Sequence, residues 1–288
     1  MKLIVGCGYL GRRVAQRWLA AGHEVAGVVR RPRQADEIAQ QGLRPILADV
    51  TRSETLPPLP PAETVLFSIG YDPAGGKSRW EVHVDGLRTV LDRLTPDSRR
   101  LIFISSTGVY GEAGGNWVDE DSLCRPTAEG PQALLAAEEL LAAHPLGRGR
   151  IILRLAGLYG PGRLPPAADL LAGRPMPAGP GCTVNLIHVD DAATVILAAE
   201  ARCQPPRTYV VSDGCPVDRR EYLRYWAELL EAPTPSFLDS PANPGRSSTR
   251  GGNKRVNNAR MLAELGVQLA YPSFREGLAA SLMKRGRS

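Results

Sequence analysis

The stretch Met1–Arg13, M-K-L-I-V-G-C-G-Y-L-G-R-R, joins a short apolar run to three glycines with G-x-G-x-x-G spacing. The run Leu3–Val5 is typical of a buried parallel strand, and the apolar residues after the glycines recur with a helical period. Gly6 would make the tight turn, Gly8 would let backbone N–H groups approach a pyrophosphate, and Gly11 would let the helix pack closely on the strand. The order of strand, glycine turn and helix therefore predicts a dinucleotide-binding site.

The composition is that of a folded protein with a sizeable core. The chain has 288 residues, of which 43% are hydrophobic, so we expect one large domain or two closely joined ones. The N-terminal apolar run is too short for a signal sequence, and no run reaches the roughly 18 uncharged apolar residues of a membrane-spanning helix. The sequence predicts a cytoplasmic protein without a membrane partner.

Cysteine usage and charge exclude several other classes. The five cysteines are scattered, without a C-x-x-C pair or a histidine at ligand spacing, and this pattern predicts neither a metal site nor a disulfide framework. The net charge of +5 is spread along the chain, as on a solvated surface, and not clustered as on a nucleic-acid-binding face. We expect a small-molecule substrate and no nucleic-acid partner. Monomer and homodimer both remain open.

Arg30 and Arg31 follow the second predicted strand, Glu24–Val29. NAD-binding folds usually place an acid about 20 residues after the glycines, where it binds the ribose 2′-hydroxyl. Guanidinium groups instead suit a 2′-phosphate, because they form paired, charge-assisted hydrogen bonds. The arginines therefore favour NADP, with NAD as the alternative. A basic surface turn before Pro32 is the other interpretation.

Two further strand ends contribute to the predicted cofactor site. Asp49 follows the third predicted strand, Arg44–Ala48, where it could meet the adenine or cap a turn. Ser68 and Gly70 lie at the end of the fourth, Thr64–Ile69, and ligands bind at this carboxyl edge in open α/β sheets. The predicted cofactor-binding residues are Gly6, Gly8, Tyr9, Leu10, Gly11, Arg30, Arg31, Asp49, Ser68 and Gly70.

Four later segments resemble the motifs of one family. They are V-H-V-D-G at 82–86, S-S-T-G-V-Y-G at 105–111, L-R-L-A-G-L-Y-G-P-G at 153–162 and N-L-I-H-V-D-D-A-A at 185–193. They resemble motifs of the extended short-chain dehydrogenase/reductases, the group of nucleotide-sugar epimerases and dehydratases, and the resemblance covers nearly the whole chain. It implies an α/β fold, with a Rossmann-type doubly wound parallel sheet and a smaller C-terminal lobe that faces the substrate.

The resemblance fails at the family's proton-transfer pair. In the family, a Tyr-x-x-x-Lys pair follows the serines, and the lysine orients the nicotinamide ribose and lowers the pKa of the tyrosine. Counting from Pro126, the tyrosine place falls on Gly130 and the lysine place on Leu134, while Glu138 matches the acid that follows. The chain thus resembles the atypical subgroup that keeps the glycine motif and lacks the catalytic pair.

Other residues would have to take part in catalysis. Ser106 matches the family serine or threonine that hydrogen-bonds the reacting oxygen, although it could equally cap the end of its strand. The other candidates are Tyr110, Tyr159, His188 and Tyr71, and in relatives the motifs of Tyr159 and His188 shape the pocket. A tyrosine beside glycine and proline is more often a packed aromatic than a proton donor.

The domain prediction follows the change in composition after residue 160. Residues 1–160 form the dinucleotide-binding core, to which 183–212 return, and residues 161–182 and 213–288 form the smaller lobe.

Two functions remain open. One is an NAD(P)-dependent oxidoreductase, epimerase or dehydratase acting on a hydroxylated, possibly nucleotide-linked or phosphorylated small molecule. The other is a non-catalytic NADP-binding regulatory or sensor module.

Overall fold

The computed structural model describes residues 1–179, 181–238 and 252–285. The strands are β1 (Lys2–Val5), β2 (Val25–Val29), β3 (Arg44–Leu47), β4 (Thr64–Phe67), β5 (Arg100–Ser106), β6 (Trp117–Val118), β7 (Arg150–Leu155), β8 (Gly157–Tyr159), β9 (Met176–Pro177), β10 (Thr183–Val184), β11 (Leu186–His188), β12 (Arg207–Val211), β13 (Val217–Asp218), β14 (Phe237–Leu238) and β15 (Arg255–Val256). Seven of them form one parallel sheet in the order β12-β7-β5-β4-β1-β2-β3.

The strand order reverses beside β1. β2 and β3 lie on one side of it, and β4, β5, β7 and β12 lie on the other. All four β1 residues are buried, because a central parallel strand is covered on both faces. The crevice between the carboxyl ends of β1 and β4 is the switch point where such sheets bind ligands. The predicted Rossmann-type fold is confirmed.

Helices cover both faces of this sheet. The helices of the described residues are α1 (Gly11–Ala20), α2 (Pro32–Gln40), α3 (Gly86–Leu91), α4 (Glu129–Ala143), α5 (Ala168–Leu171), α6 (Val189–Arg202), α7 (Arg219–Leu229), α8 (Ala259–Leu265) and α9 (Phe274–Arg285). α1, α6 and α8 share one buried apolar cluster with the sheet, and α3 and α4 share the other. Residues Glu81–Asp85 form a wider π-helical turn before α3.

A separate apolar cluster joins the later part of the chain. Trp226 of α7 and Phe274 and Leu278 of α9 pack there with Leu170 of α5 and Met176 of β9. The predicted division into two lobes stays a prediction. Residues 180, 239–251 and 286–288 of the predicted lobe lie outside the described residues.

The segment Thr183–Ile187, part of the stretch 183–212 that is predicted to return to the core, does not join the seven-stranded sheet. It is divided into β10, which pairs with β13, and β11, which pairs with β8. Asn185 lies between the two halves, where its side chain donates to the Lys254 carbonyl at 2.9 Å and accepts from the Val256 N–H at 2.9 Å. These hydrogen bonds tie the chain to a distant segment at the point where it leaves one strand for the next.

A helix long and apolar enough to cross a membrane is not found among the described residues.

Candidate functional site

The turn between β1 and α1 needs its glycines at two places. Gly6 has a φ of 91°, and a Cβ added there would lie 2.7 Å from the Ile69 nitrogen. A Cβ on Gly11 would lie 2.7 Å from the Gly6 carbonyl oxygen. Gly8 differs, because an added Cβ would meet no atom within 4 Å in the described structure. Two glycines therefore permit the close packing of strand, turn and helix, and the third leaves the space above the turn open.

A cavity of about 400 Å³ lies above this turn, at the carboxyl ends of the central strands. Its lining includes every predicted cofactor-binding residue except Gly11, which packs beneath the turn: Gly6, Gly8, Tyr9, Leu10, Arg30, Arg31, Asp49, Ser68 and Gly70. Ser68 donates a hydrogen bond of 2.9 Å to the Gly6 carbonyl, so the β4 end and the glycine turn are held together. The fold thus brings four separate sequence segments to one cavity.

At one end of the cavity, Asp72 pairs with both predicted phosphate-binding arginines. Its Oδ2 accepts a hydrogen bond from Arg30 and one of 2.8 Å from Nη2 of Arg31, and its Oδ1 accepts from the Ala74 N–H at 3.0 Å. The Ala74 hydrogen bond and the two guanidinium groups lower the pKa of Asp72. All three charged side chains line the cavity and are partly exposed. This end carries two cations and one carboxylate.

Asp49 caps a turn and lies in the cavity lining, while its contact with an adenine stays a prediction. It lines the cavity, and its Oδ1 accepts hydrogen bonds from the N–H and the hydroxyl of Thr51 at 3.0 and 2.8 Å. It therefore caps the turn after β3 while facing the space next to Arg30 and Arg31.

Tyr9 brings an unpaired phenol to the cavity lining. Its hydroxyl oxygen is buried and has no hydrogen-bond partner among the described residues. The guanidinium carbons of Arg13 and Arg163 lie 4.3 and 5.9 Å from the centre of its ring. Burial raises the pKa of this phenol, although Arg13 opposes the shift. Tyr9 thus stays a neutral hydrogen-bond donor next to two cations, and Arg163 itself lines the cavity.

These residues fit a dinucleotide. The first N–H groups of a helix have no partners inside that helix, and here those of Arg12 and Arg13 donate to the Gly8 and Leu10 carbonyls at 3.0 Å. Gly8 leaves the approach to the turn itself open. The helix dipole adds positive potential at this end. The cations of Arg30, Arg31 and Arg163 in the cavity lining suit an anionic, oxygen-rich ligand. Groups of three or more histidine, cysteine or acidic side chains that could hold a metal ion are not found in the part of the chain that the structure describes.

Ser106 closes a turn at the end of β5. Its hydroxyl oxygen accepts the Gly108 N–H at 3.0 Å, as expected for a capping serine. A hydroxyl also carries one O–H donor, and Ser106 is partly exposed. The residue therefore keeps a hydrogen-bond donor for a second partner. It is not part of the cavity lining.

The neighbouring motif residues meet in a buried ionic network. Nη2 of Arg154 donates to Oε2 of Glu138 at 2.7 Å, and Ser105 donates to the same carboxylate at 2.5 Å. Nη1 of Arg154 donates to the Tyr110 hydroxyl at 3.0 Å. Burial raises the pKa of Tyr110 far above its usual value. Two of the family-like segments, together with Glu138 of α4, thus contribute to a buried support beneath the β5 end, and Tyr110 belongs to that support.

Arg79 fills the space beside Gly130, the place of the missing tyrosine. A Cβ added to Gly130 would lie 3.0 Å from Cδ and 3.2 Å from Nε of Arg79. The Arg79 N–H donates to Oε1 of Glu129 at 3.2 Å, and its guanidinium carbon lies 4.0 Å from the centre of the Tyr71 ring. A side chain from the start of the preceding helical segment has therefore taken the space that a residue-130 side chain would need.

Tyr159 and His188 lie together in the apolar core of the later part of the chain. Tyr159 is buried and its hydroxyl donates to the Ser273 carbonyl at 3.4 Å. Burial, followed by the nearby carboxyl of Asp213, holds the pKa of Tyr159 far above its usual range. His188 is fully buried, with Nε2 at 3.2 Å from Oγ of Ser281. Neither residue lines the cavity, and the three candidate catalytic side chains are not brought to one point there.

Sequence reasoning missed three residues of this region. Asp72 and Arg163 line the cavity, and Arg79 lies beside Gly130. Arg163 directly follows the Y-G-P-G segment, so its position next to a motif was a usable signal. Asp72 and Arg79 reach their partners across 41 or more residues of sequence, and no local pattern marks such pairs.

The fold and the site define a class of dinucleotide-binding α/β proteins, and comparison with known proteins identifies the family. Residues 3–212 match the model of the NAD dependent epimerase/dehydratase family. The chain belongs to this family.

Individual relatives extend over nearly the whole chain. Protein YeeZ of Escherichia coli K12 is 30% identical over 93% of this chain and 95% of its own length. A 3-diazoavenalumate denitrifying reductase of a Streptomyces species is 26% identical over 96% of this chain and 98% of its own. The structure of a functionally unknown conserved protein from Silicibacter pomeroyi superposes with a TM-score of 0.80 at 32% identity, covering 98% of each chain.

Proposed function

We propose that the protein is an NADP-preferring oxidoreductase, epimerase or dehydratase of atypical type. Its substrate is a hydroxylated small molecule, possibly phosphorylated or linked to a nucleotide. The observation that carries the proposal is the open glycine turn beneath a cavity of about 400 Å³, which has Arg30 and Arg31 at one end. The family membership supports a nicotinamide cofactor.

The preference for NADP rests on charge at the ribose end. Arg30 and Arg31 line the cavity where an NAD-specific site would place an acid at the end of the second strand. Asp49 also lines the cavity, but its Oδ1 caps Thr51 and it follows the third strand. The two guanidinium groups can bind a 2′-phosphate through several charge-assisted hydrogen bonds.

Different residues of the chain would bind the cofactor and contact the reacting oxygen. A bound NADP(H) would exchange the hydride. The turn at Gly8 and the start of α1 would hold the diphosphate, and Ser68 fixes the neighbouring strand end against that turn. Ser106 can donate its hydroxyl proton in a hydrogen bond to the reacting oxygen, since its lone pair already accepts the Gly108 N–H.

The proton itself must come from a group other than residue 130. Glycine carries no acid, and Leu134 cannot orient a ribose or carry charge. We therefore expect common UDP- and dTDP-sugars to give slow turnover or none. The similarity to a Streptomyces protein named as a reductase supports a redox reaction on another substrate class.

A non-catalytic NADP-binding sensor is the second candidate. The absence of the Tyr-x-x-x-Lys pair and the position of Arg79 in its place favour this function. For either function we propose a cytoplasmic protein, monomeric or homodimeric, with no nucleic-acid or membrane partner.

A substrate screen separates the two functions. The wild-type protein, saturated with NADPH or NADP⁺, is incubated with carbonyl compounds, alcohols and nucleotide sugars while the nicotinamide absorbance is recorded and the products are separated by chromatography. An oxidoreductase changes the absorbance with at least one compound, an epimerase or dehydratase forms a product without a net change in absorbance, and Ser106→Ala abolishes either activity without weakening cofactor binding. Tight cofactor binding with neither an absorbance change nor a product across the screen would support the sensor. Turnover that Ser106→Ala leaves intact would show that the reacting oxygen lies elsewhere.

A further inference from the structure

Asp72 connects the loop after β4 to the end of β2 at the cavity wall. It lies in the loop after β4, and its Oδ2 is shared by the guanidinium groups of Arg30 and Arg31 at the end of β2. Oδ1 is held by the Ala74 N–H. A Cβ on Gly75 would lie 2.9 Å from Nη1 of Arg30, so the loop also packs against that side chain. The carboxylate therefore sits between the two arginines at the cavity wall.

The shared carboxylate oxygen lies where the two arginines would bind a phosphate. A phosphate monoester carries a charge of about −1.5 to −2 near neutral pH and offers three acceptor oxygens. Because Nη2 of both arginines donates to Asp72, a phosphate that uses these donors must displace Asp72 or accept its negative charge at close range. A ribose 2′-hydroxyl is neutral and can enter with the bridge intact. The same ion pairs that preorganise the arginines thus oppose the phosphate.

We propose that Asp72 is a specificity-determining residue that competes with the cofactor's 2′-phosphate for Arg30 and Arg31, and so limits the preference for NADP over NAD. This inference rests on the proposed binding of a nicotinamide dinucleotide in the cavity. It assigns to Asp72 a role opposite to that of the two arginines, although all three line the same end of the site.

The exposure of the three side chains limits how much Asp72 can change the affinity for a phosphate. Arg30, Arg31 and Asp72 are partly exposed, with side-chain exposures of 35%, 58% and 32%, and water screens such ion pairs. Replacing the carboxylate by an amide keeps an oxygen for the Ala74 N–H and removes the charge. We expect Asp72→Asn to tighten NADPH and 2′,5′-ADP by roughly three- to tenfold, the effect of removing two partly exposed ion pairs that oppose binding. NADH and 5′-AMP should change less than about twofold.

The experiment is an equilibrium titration of NADPH, NADH, 2′,5′-ADP and 5′-AMP against wild type, Asp72→Asn and Asp72→Ala. Asp169→Asn is the matched control, because Asp169 forms an exposed ion pair with Arg174 outside the cavity. Thermal unfolding of each variant confirms that it is folded. If Asp72→Asn unfolds, Asp72→Ala supplies the same comparison.

Each outcome separates this inference from the proposed cofactor preference. A gain confined to the 2′-phosphorylated ligands supports the competition, even if wild type binds NADH as tightly as NADPH and the proposed NADP preference fails. If wild type prefers NADPH and Asp72→Asn binds NADPH with the same affinity as wild type, the role of Asp72 is overturned and the cofactor proposal stays intact. Weaker NADH binding with unchanged NADPH would mean that Asp72 holds the ribose 2′-hydroxyl, which also overturns it.

Discussion

The glycine turn and the region around Gly130 belong to the same family pattern but have different structures. At the turn, Gly6 and Gly11 fit against neighbouring backbone, and Gly8 leaves open space beneath the cavity. At Gly130, the space for a side chain is taken by Arg79. The comparison shows that the requirements for binding a dinucleotide and for transferring a proton lie in separate segments, so a chain can keep one and lose the other.

The largest effect is expected in the buried network under the β5 end. Arg154→Met removes the cation from Glu138 and leaves a buried carboxylate whose charge is balanced by no cation, with only the Ser105 hydroxyl still donating to it. We expect this variant to lose about 3–5 kcal/mol of unfolding free energy, because an uncompensated buried charge is strongly destabilising. Chemical denaturation measures the loss.

The double variant Arg154→Met with Glu138→Leu is the control for that prediction. Replacing both charges by apolar groups removes the unpaired carboxylate and should recover much of the stability. If Arg154→Met is as stable as wild type, the buried network does not stabilise the region under the β5 end. This region would then differ from the glycine turn for some other reason.

At the glycine turn, Gly8→Val should weaken cofactor binding and leave folding unchanged. The new side chain has space, since a Cβ at Gly8 meets no described atom within 4 Å, but it occupies the approach to the α1 N-terminus. Loss of two charge-assisted hydrogen bonds to the diphosphate costs about 3 kcal/mol. Titration and thermal unfolding measure the two effects, with Gly179→Ala, outside the cavity, as the control. Equal cofactor affinity in Gly8→Val and wild type would place the diphosphate elsewhere.

Substitution at Gly130 tests whether Arg79 truly occupies the tyrosine place. Gly130→Tyr must displace the Arg79 side chain, whose Cδ lies 3.0 Å from an added Cβ, and such overpacking costs about 1–3 kcal/mol. Arg79→Ala in the same chain should relieve most of that cost, and a double-mutant cycle measures the coupling. Additive effects of the two substitutions would show that Arg79 does not fill this space.

The smallest effect is expected at Ser106. Ser106→Ala removes the acceptor for the Gly108 N–H, and loss of such a cap costs about 1 kcal/mol. Thermal unfolding should detect this shift, and Ser106→Thr should restore most of it because a hydroxyl returns. A loss of several kcal/mol would mean that Ser106 supports the buried network as Ser105 does.

The sequence predicted the features that depend on neighbouring residues in the chain. The order of strand, glycines and helix predicted the turn between β1 and α1. Arg30 and Arg31 were predicted to lie at the cofactor site because they directly follow β2, and they line the cavity. Packing between distant segments was not predictable. Asp72 pairs with Arg30 across 42 residues, and the split of strand 183–187 depends on Asn185 bonding to residues 254 and 256. Burial of Tyr159 and His188 likewise follows from packing against α9.

Titration of NADPH and NADH against wild type and Arg30→Asp tests the central claim, that this chain retains a dinucleotide site suited to NADP. We expect wild type to bind NADPH more tightly than NADH. Arg30→Asp should weaken NADPH by about 1.5–3 kcal/mol and barely change NADH, since it removes one charge-assisted contact to the 2′-phosphate. Failure of wild type to bind either cofactor, or equal affinities that neither Arg30→Asp nor a substitution of Arg31 changes, would contradict the account.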